Sequence, residues 1–278
     1  MNLSFFKADG DLLVPTEMAQ SMWDTNQMHG VAVSGALARA LERQVADLGR
    51  HDLRPARLTV DLFRAATMDA CEITTEVVRE GRRICLVDAV LTQADQRVAR
   101  ASAVFLAASA STEGEVWSPS ERPVPPPSDV APPTETPRVP FFHSEAGWSQ
   151  DFGQHQNASR KQSWNSAIPV LTGEPITPFQ AAAAVADGAS LVTNWGDRGV
   201  EHINTDITLT LARQPVGAEI GLSAVDRVEY DGIAVGTAAV FDRNGPLGTA
   251  VVTSLANALR TVDMGGIEYS DDGSRTGG

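Results

Sequence analysis

Little in this chain offers redox or metal chemistry. It carries two cysteines and five histidines in 278 residues. Cys71 and Cys85 make no CxxC pair, and His29, His51, His143, His155 and His202 are scattered, so no zinc site is legible and no metal is expected. Both cysteines belong to an expected hairpin. With its turn at Gly81, Cys85 should face residue 78 and Cys71 residue 92, too staggered to bridge. They read as small buried apolar groups, and their scarcity fits a cytoplasmic protein. No apolar run approaches the ~20 residues of a membrane span. The N-terminus, from Met1 to Asp9, lacks the charged-then-apolar order of a signal peptide. Positive charge is also short. Lys and Arg number 22 against 35 Asp and Glu, and the net −13 argues against nucleic acid or an anionic membrane as partner. It does not exclude a phosphate-bearing small ligand held by a local Arg cluster. Gly-x-Ser-x-Gly, Walker and Gly-x-Gly-x-x-Gly motifs are missing, which sets aside the chemistries built on them.

What is present is a repeat. Residues 57–106 fall on residues 206–255 at a constant offset of 149, without a gap. Only eight of the fifty pairs are identical, but apolar positions mostly meet apolar positions, as expected of two copies of one fold. Upstream of the first copy, the face Val33, Ala36-Leu37, Ala40-Leu41 and Val45 has helical period and predicts a helix from Gly30 to Leu48, stopped by Gly49. Alternation then predicts strands at 57–63, 71–79, 84–93 and 96–107. In the second half a strand near Lys161–Ile168 precedes an Ala-rich helix, capped by Thr177-Pro178 and running to about Thr193. Strands follow at 205–212, 218–228, 233–242 and 247–257, with Asp231-Gly232 and Asn244-Gly245 as hairpin turns.

Between the copies, residues 118–140 carry nine prolines and read as an extended linker. The expected division is an N-terminal domain at 1–109, a linker at 110–141, a C-terminal domain at 142–262 and a flexible tail at 263–278. Each half is one apolar helix and a meander of antiparallel strands, an α+β arrangement of the hotdog type. Two in one chain make a double hotdog.

Four stretches carry a resemblance to the acyl-CoA thioesterase II group of double-hotdog proteins. Met28-His29-Gly30-Val31 and the residues to Glu42 are similar to the family's first helix start, and Arg57–Arg64 to its first central strand. Thr172–Pro178 followed by Ala186-Asp187 resembles the second helix, and Ile203–Leu211 with Arg213 the second central strand. The resemblance implies hydrolysis of an acyl-CoA thioester, with no cofactor beyond the coenzyme A of the substrate. It places the catalytic aspartate at Asp206, across the domain interface from the helix start. There the Gly30 and Val31 N–H groups would stabilise the oxyanion.

In this alignment the family's Thr or Ser falls on Asp226, a second candidate catalytic group, and its Gln falls on the apolar Val251-Val252. His29, Asp187 and Arg64 complete the candidate substrate contacts. Each also has a plainer reading: helix start for His29, buried partnered acid for Asp187, scaffold for Arg64 and its repeat partner Arg213. Trp23 and Trp195 read as packing or as acyl-tunnel walls. The alternative function is a non-hydrolytic acyl-CoA or acyl-chain binder that has lost the water site. Asp24–His29 also resembles a hotdog hydratase motif, but the proline of that motif is missing here. Unpaired sheet edges predict a homodimer or higher homo-oligomer.

Overall fold

A computed structural model describes residues 3–257, 260–266, 268–269 and 275–276. A hairpin, β1 (Phe6–Asp9) and β2 (Leu12–Pro15), turns at Gly10 and precedes α1 (Gly30–Asp47). The meander β3 (Leu53–Asp61), β4 (Glu72–Glu80), β5 (Ile84–Gln93) and β6 (Gln96–Ala107) completes the first half. The second half opens with β7 (Arg138–Ser144), β8 (Gly147–Ser149), α2 (Phe152–His155) and β9 (Gln162–Ser166). Its helical layer is α3 (Pro178–Ala186) and α4 (Ala189–Asn194). Short strands β10 (Trp195–Gly196), β11 (Gly199–Val200) and β12 (His202–Asn204) lead to β13 (Asp206–Leu211), β14 (Glu219–Tyr230), β15 (Ile233–Asp242) and β16 (Gly245–Ala256). A last pair, β17 (Glu268–Tyr269) and β18 (Arg275–Thr276), lies in the tail.

Twelve strands form one continuous sheet in the order β4-β5-β6-β3-β13-β16-β15-β14-β9-β7-β8, with β12 beside β16. The two meanders join edge to edge through β3 and β13, which pair antiparallel. In that ladder Thr59 faces Thr208 and Leu58 faces Leu209. Thr59 and Thr208 are repeat equivalents, so a quasi-twofold axis passes between their hydroxyls, 3.4 Å apart. Strand alternation sends Leu58, Val60, Ile207 and Leu209 to the inner face, where all four are buried. On that face α1 and α3 pack together, because Gly35 and Ala184 are small enough to let the helices approach. Side chains from both halves form one contiguous apolar core.

Several expectations need correction. The Pro-rich segment ends at 137, not 141, because Phe141 and Phe142 are buried and β7 pairs with β9. Its last turn is anchored: Ala131 packs with Phe141, Trp164 and Phe241, and its carbonyl accepts from Arg243. The helix expected to reach Thr193 in one piece breaks at Asp187-Gly188. Cys85 pairs with Glu80 rather than residue 78, since the turn sits one residue later, at Arg82-Arg83, with Gly81 N–H donating to the Ile84 carbonyl. Both cysteines are free and buried. The N-terminal strand docks on the other half, where Phe5 and Phe6 N–H groups donate to Pro169 and Val170 carbonyls. Of the tail expected to be flexible, the Met264 and Gly265 N–H groups donate to Gln156 and β17 pairs with β18, and the remainder lies outside the described residues. No described helix is long and apolar enough to cross a membrane.

Candidate active site

The start of α1 and the end of α3 meet because the two helices run antiparallel. His29 caps α1. Its Nδ1 accepts from Ala32 N–H at 3.0 Å and its Nε2 lies 2.9 Å from the Met18 carbonyl, which selects the Nε2–H tautomer. Burial lowers its pKa, so it stays neutral. Both ring nitrogens are therefore spent on holding the helix start. His29 lines the cavity, but its polar atoms do not face a substrate.

The α1 terminus has four backbone N–H groups to satisfy. Ala32 N–H goes to His29 Nδ1, Val33 N–H to the His29 carbonyl, and Val31 N–H to the carboxylate of Asp187. Among the described residues no acceptor is recorded for Gly30 N–H. A Cβ at position 30 would overlap the Asp187 carboxylate, so glycine is required here for the acid to reach the helix end.

Asp187 follows the last residue of α3 and is half-buried in the cavity lining. Burial pushes its pKa up from 3.8 to about 6, against the opposing pull of hydrogen bonds from Asn204 and Val31. Asn204 Nδ2 donates to Asp187 Oδ1 at 2.9 Å. Two of the carboxylate's roughly four acceptor sites are thus used, leaving room for a water. Asn204 lies on β12 opposite Ser254 of β16, whose hydroxyl accepts from Asn194 Nδ2.

Two residues before Asn204, His202 also lines the cavity. Its buried Nε2 makes no hydrogen bond and lies 3.6 Å from Glu229 Oε2. A hydrogen bond from Arg227 holds that glutamate below the usual carboxylate range.

The cavity around these groups has a volume of about 290 Å³. The structure brings His29, Gly30, Val31, Asp187 and Arg64 together in its lining. Arg64 stands exposed, with no ion pair recorded for its guanidinium among the described residues. Its repeat partner Arg213 is locked onto Asp242 by two hydrogen bonds and onto the Pro246 and Gly245 carbonyls. Trp23 lines the cavity, whereas Trp195 packs behind it with Phe142 and Phe152.

The structure separates Asp206 and Asp226 from this cavity. Asp206 alternates with buried Ile207 and Leu209, so it projects from the outer face with Thr208 and Thr210. Its carboxylate accepts from Thr205 Oγ1 and Thr253 N–H. The expected meeting of Asp206 with Gly30 and Val31 does not occur, and Asp187 occupies that place. Asp226 follows a bulge in β14, is exposed, and accepts from Arg227 N–H. The sequence held a signal for both corrections. Asp206 lies on the polar side of its own strand pattern, and Asp187 interrupts an otherwise apolar helix. Asn204 and His202 gave no comparable signal, since only the pairing of β12 with β16 turns them inward.

Two hotdog units on one sheet, with an acid from the second helix seated on the N-terminus of the first, define the class as a double-hotdog hydrolase. The chain belongs to the acyl-CoA thioesterase family and hydrolyses acyl-CoA thioesters. The N-terminal domain of that family matches residues 19–106 and its C-terminal domain residues 118–255. Among solved structures it resembles the tesB protein of Mycobacterium avium subsp. paratuberculosis, with a TM-score of 0.64 at 14% identity, over 88% of this chain and 92% of that one. The acyl-CoA thioesterase II TesB2 of Mycobacterium marinum gives 0.57 at 16% identity, over 84% and 90%. A hot dog protein of Alicyclobacillus acidocaldarius gives 0.61 at 19% identity, over 92% and 96%. A search of curated proteins found no match.

Proposed function

We propose that Asp187, rather than Asp206, holds and deprotonates the water that attacks the thioester. The observation that carries this is the seating of its carboxylate in the cavity, against Gly30 and Val31 and beside Asn204. A carboxylate with a pKa near 6 is ionised at neutral pH yet more basic than an exposed one, which suits a general base. Asn204 Nδ2 orients it, leaving the amide oxygen of Asn204 free to accept the water's second proton.

As the water oxygen bonds to the thioester carbon, its proton passes to Asp187 and the carbonyl oxygen gains charge. Gly30 N–H and the positive end of α1 are placed to stabilise that charge. The tetrahedral species then collapses, the C–S bond breaks, and the thiolate leaves and is protonated. Arg64 at the cavity rim offers an exposed cation to the coenzyme A phosphates. The mechanism calls on no cofactor. We read the protein as a cytoplasmic homo-oligomer acting in fatty acyl metabolism.

Thiol release from a panel of acyl-CoAs tests the assignment. Asp187→Asn is expected to lower kcat by about 10²–10⁴-fold, and Asp206→Asn to leave it within about threefold. A near-wild-type rate in Asp187→Asn would remove Asp187 from the mechanism.

A further inference from the structure

One wall of the cavity comes from the segment that follows β16. Val262 and Met264 line it together with the first turn of α1, Met22 and Trp23, and Leu191 of α4. The segment is fastened rather than loose. Val262 exchanges both backbone hydrogen bonds with Val200, at 2.9 and 3.0 Å. Gly199 has no Cβ where one would strike the Val262 carbonyl. The N–H groups of Met264 and Gly265 both donate to Gln156 Oε1 at 2.9 Å. Arg260 reaches Asp24 at 3.5 Å and the Trp23 carbonyl at 3.3 Å, tying the segment to the loop on the other side of the cavity. Met264 is fully buried, and it packs with Val262 into the cluster of Phe142, Phe152 and Trp195. Chain growth in this direction therefore meets packed protein.

Building on the thioesterase reading above, we propose that residues 260–265 form the end wall of the acyl pocket. Met264 and Val262 limit the substrates to medium-chain, unsubstituted acyl groups. The volume sets the limit. A cavity of roughly 150 Å³ accommodates one benzene, about 25 Å³ per carbon. The observed 290 Å³ then holds about eleven or twelve carbons in all. The thioester and the first atoms of the coenzyme arm use part of that, leaving room for an acyl chain of about eight to ten carbons. Asp187 and Asn204, joined by a hydrogen bond, supply polar lining, while Trp23, Leu191, Val200, Val262 and Met264 supply apolar lining. A hydroxyl or carboxylate on the distal part of the chain would lose its water there without gaining a partner.

The test is kcat/KM for saturated acyl-CoAs of four to sixteen carbons, in the full-length protein and in Met264→Ala. The ratio of tetradecanoyl to octanoyl rates is the readout, because it does not depend on the fraction of enzyme folded. Wild type should peak at eight to ten carbons and fall at least tenfold by fourteen. Met264→Ala should raise the ratio about tenfold or more, in line with the value of a methylene in an apolar pocket. Met264→Leu should restore it, and Leu191→Phe should move the optimum two carbons shorter. A wild-type optimum at fourteen carbons or above, or an unchanged ratio in Met264→Ala, would overturn the end-wall assignment while leaving the thioesterase reading intact. Failure of the wild type to hydrolyse any member of the panel would remove the thioesterase reading, and this inference with it.

Discussion

Asp187 ends one helix, where the macrodipole disfavours negative charge, and touches the start of another, where it favours it. The net result is set by burial, which holds its pKa at about 6. This has a kinetic and a thermodynamic consequence. The kinetic one is an acid limb in kcat/KM with unit slope and a midpoint near pH 6, measured across pH 4.5–8 with octanoyl-CoA. The thermodynamic one follows from linkage. The folded pKa lies above the ordinary 3.8, so the folded state binds the proton more tightly than the unfolded chain. The contribution of Asp187 to stability is therefore most favourable below pH 4, falls between about 4 and 6, and above 6 carries the full penalty of up to about 3 kcal/mol. Asp187→Asn should thus be more stable than wild type at pH 7.5 and lose that advantage at pH 4, as read by urea unfolding. Gly30→Ala tests the same contact from the other side. Its Cβ would push the carboxylate off the helix end, and we expect a loss of about 10²-fold or more in kcat. Retained activity in Gly30→Ala would show that Asp187 need not sit there. At this scale the sequence named both acids, and the structure seats Asp187, not Asp206, in the cavity. A motif alignment favoured Asp206, whereas strand parity puts that residue on the outer face.

The two central helices show how the copies diverged. The offset of 149 sets Asp187 against Ala38. Ala38 is buried inside an unbroken α1, while the second helix stops at Asp187-Gly188 and restarts as α4. The same comparison applies at the helix starts. Thr177 caps α3 and donates to Glu42, which also accepts from Gln180, and nearby Arg39 holds Glu174 in a two-bond ion pair. Around the quasi-twofold axis, then, one helix junction is open and bears an acid, and the other is closed by paired charges.

The cap on the open side carries a prediction. His29→Ala should cost about 1 kcal/mol through loss of the N-cap, seen as a Tm lower by about 2–4 °C. His29→Asn, which can still accept from Ala32 N–H, should keep kcat within about fivefold. A drop of 10² or more in His29→Asn would mean that the imidazole does more than cap. The element boundaries themselves were largely legible, because apolar periodicity and turn dipeptides mark them locally. Strand β7 was not, since Pro140 and the prolines before it mask a segment that is strand by virtue of pairing with β9.

The molecule as a whole is one cooperative body despite its duplicated sequence. The sheet is continuous, the helices of both halves share one core, and the N-terminal strand is bonded to residues 169–172 of the second half. Calorimetry should therefore give one unfolding transition. Residues 1–109 expressed alone should show no cooperative unfolding, because the face of α1 that packs on α3 would be left in water. Two resolved transitions, or a cooperatively folding N-terminal half, would contradict this.

What the sequence determined alone is everything that depends on short-range pattern: two meanders, two apolar helices, the linker, and the duplication joining them. It also supplied the family, through helix starts and central strands that read locally. What only the tertiary structure decided is which residues meet. Antiparallel packing brings Gly30 to Asp187, pairing with β16 turns Asn204 inward, and a bridge to Val200 lays the C-terminal segment across the cavity. The physical reason is range. Periodicity reports which face of an element is buried, while an active site is made by contacts between separate elements, such as Gly30 with Asp187, which no local pattern records.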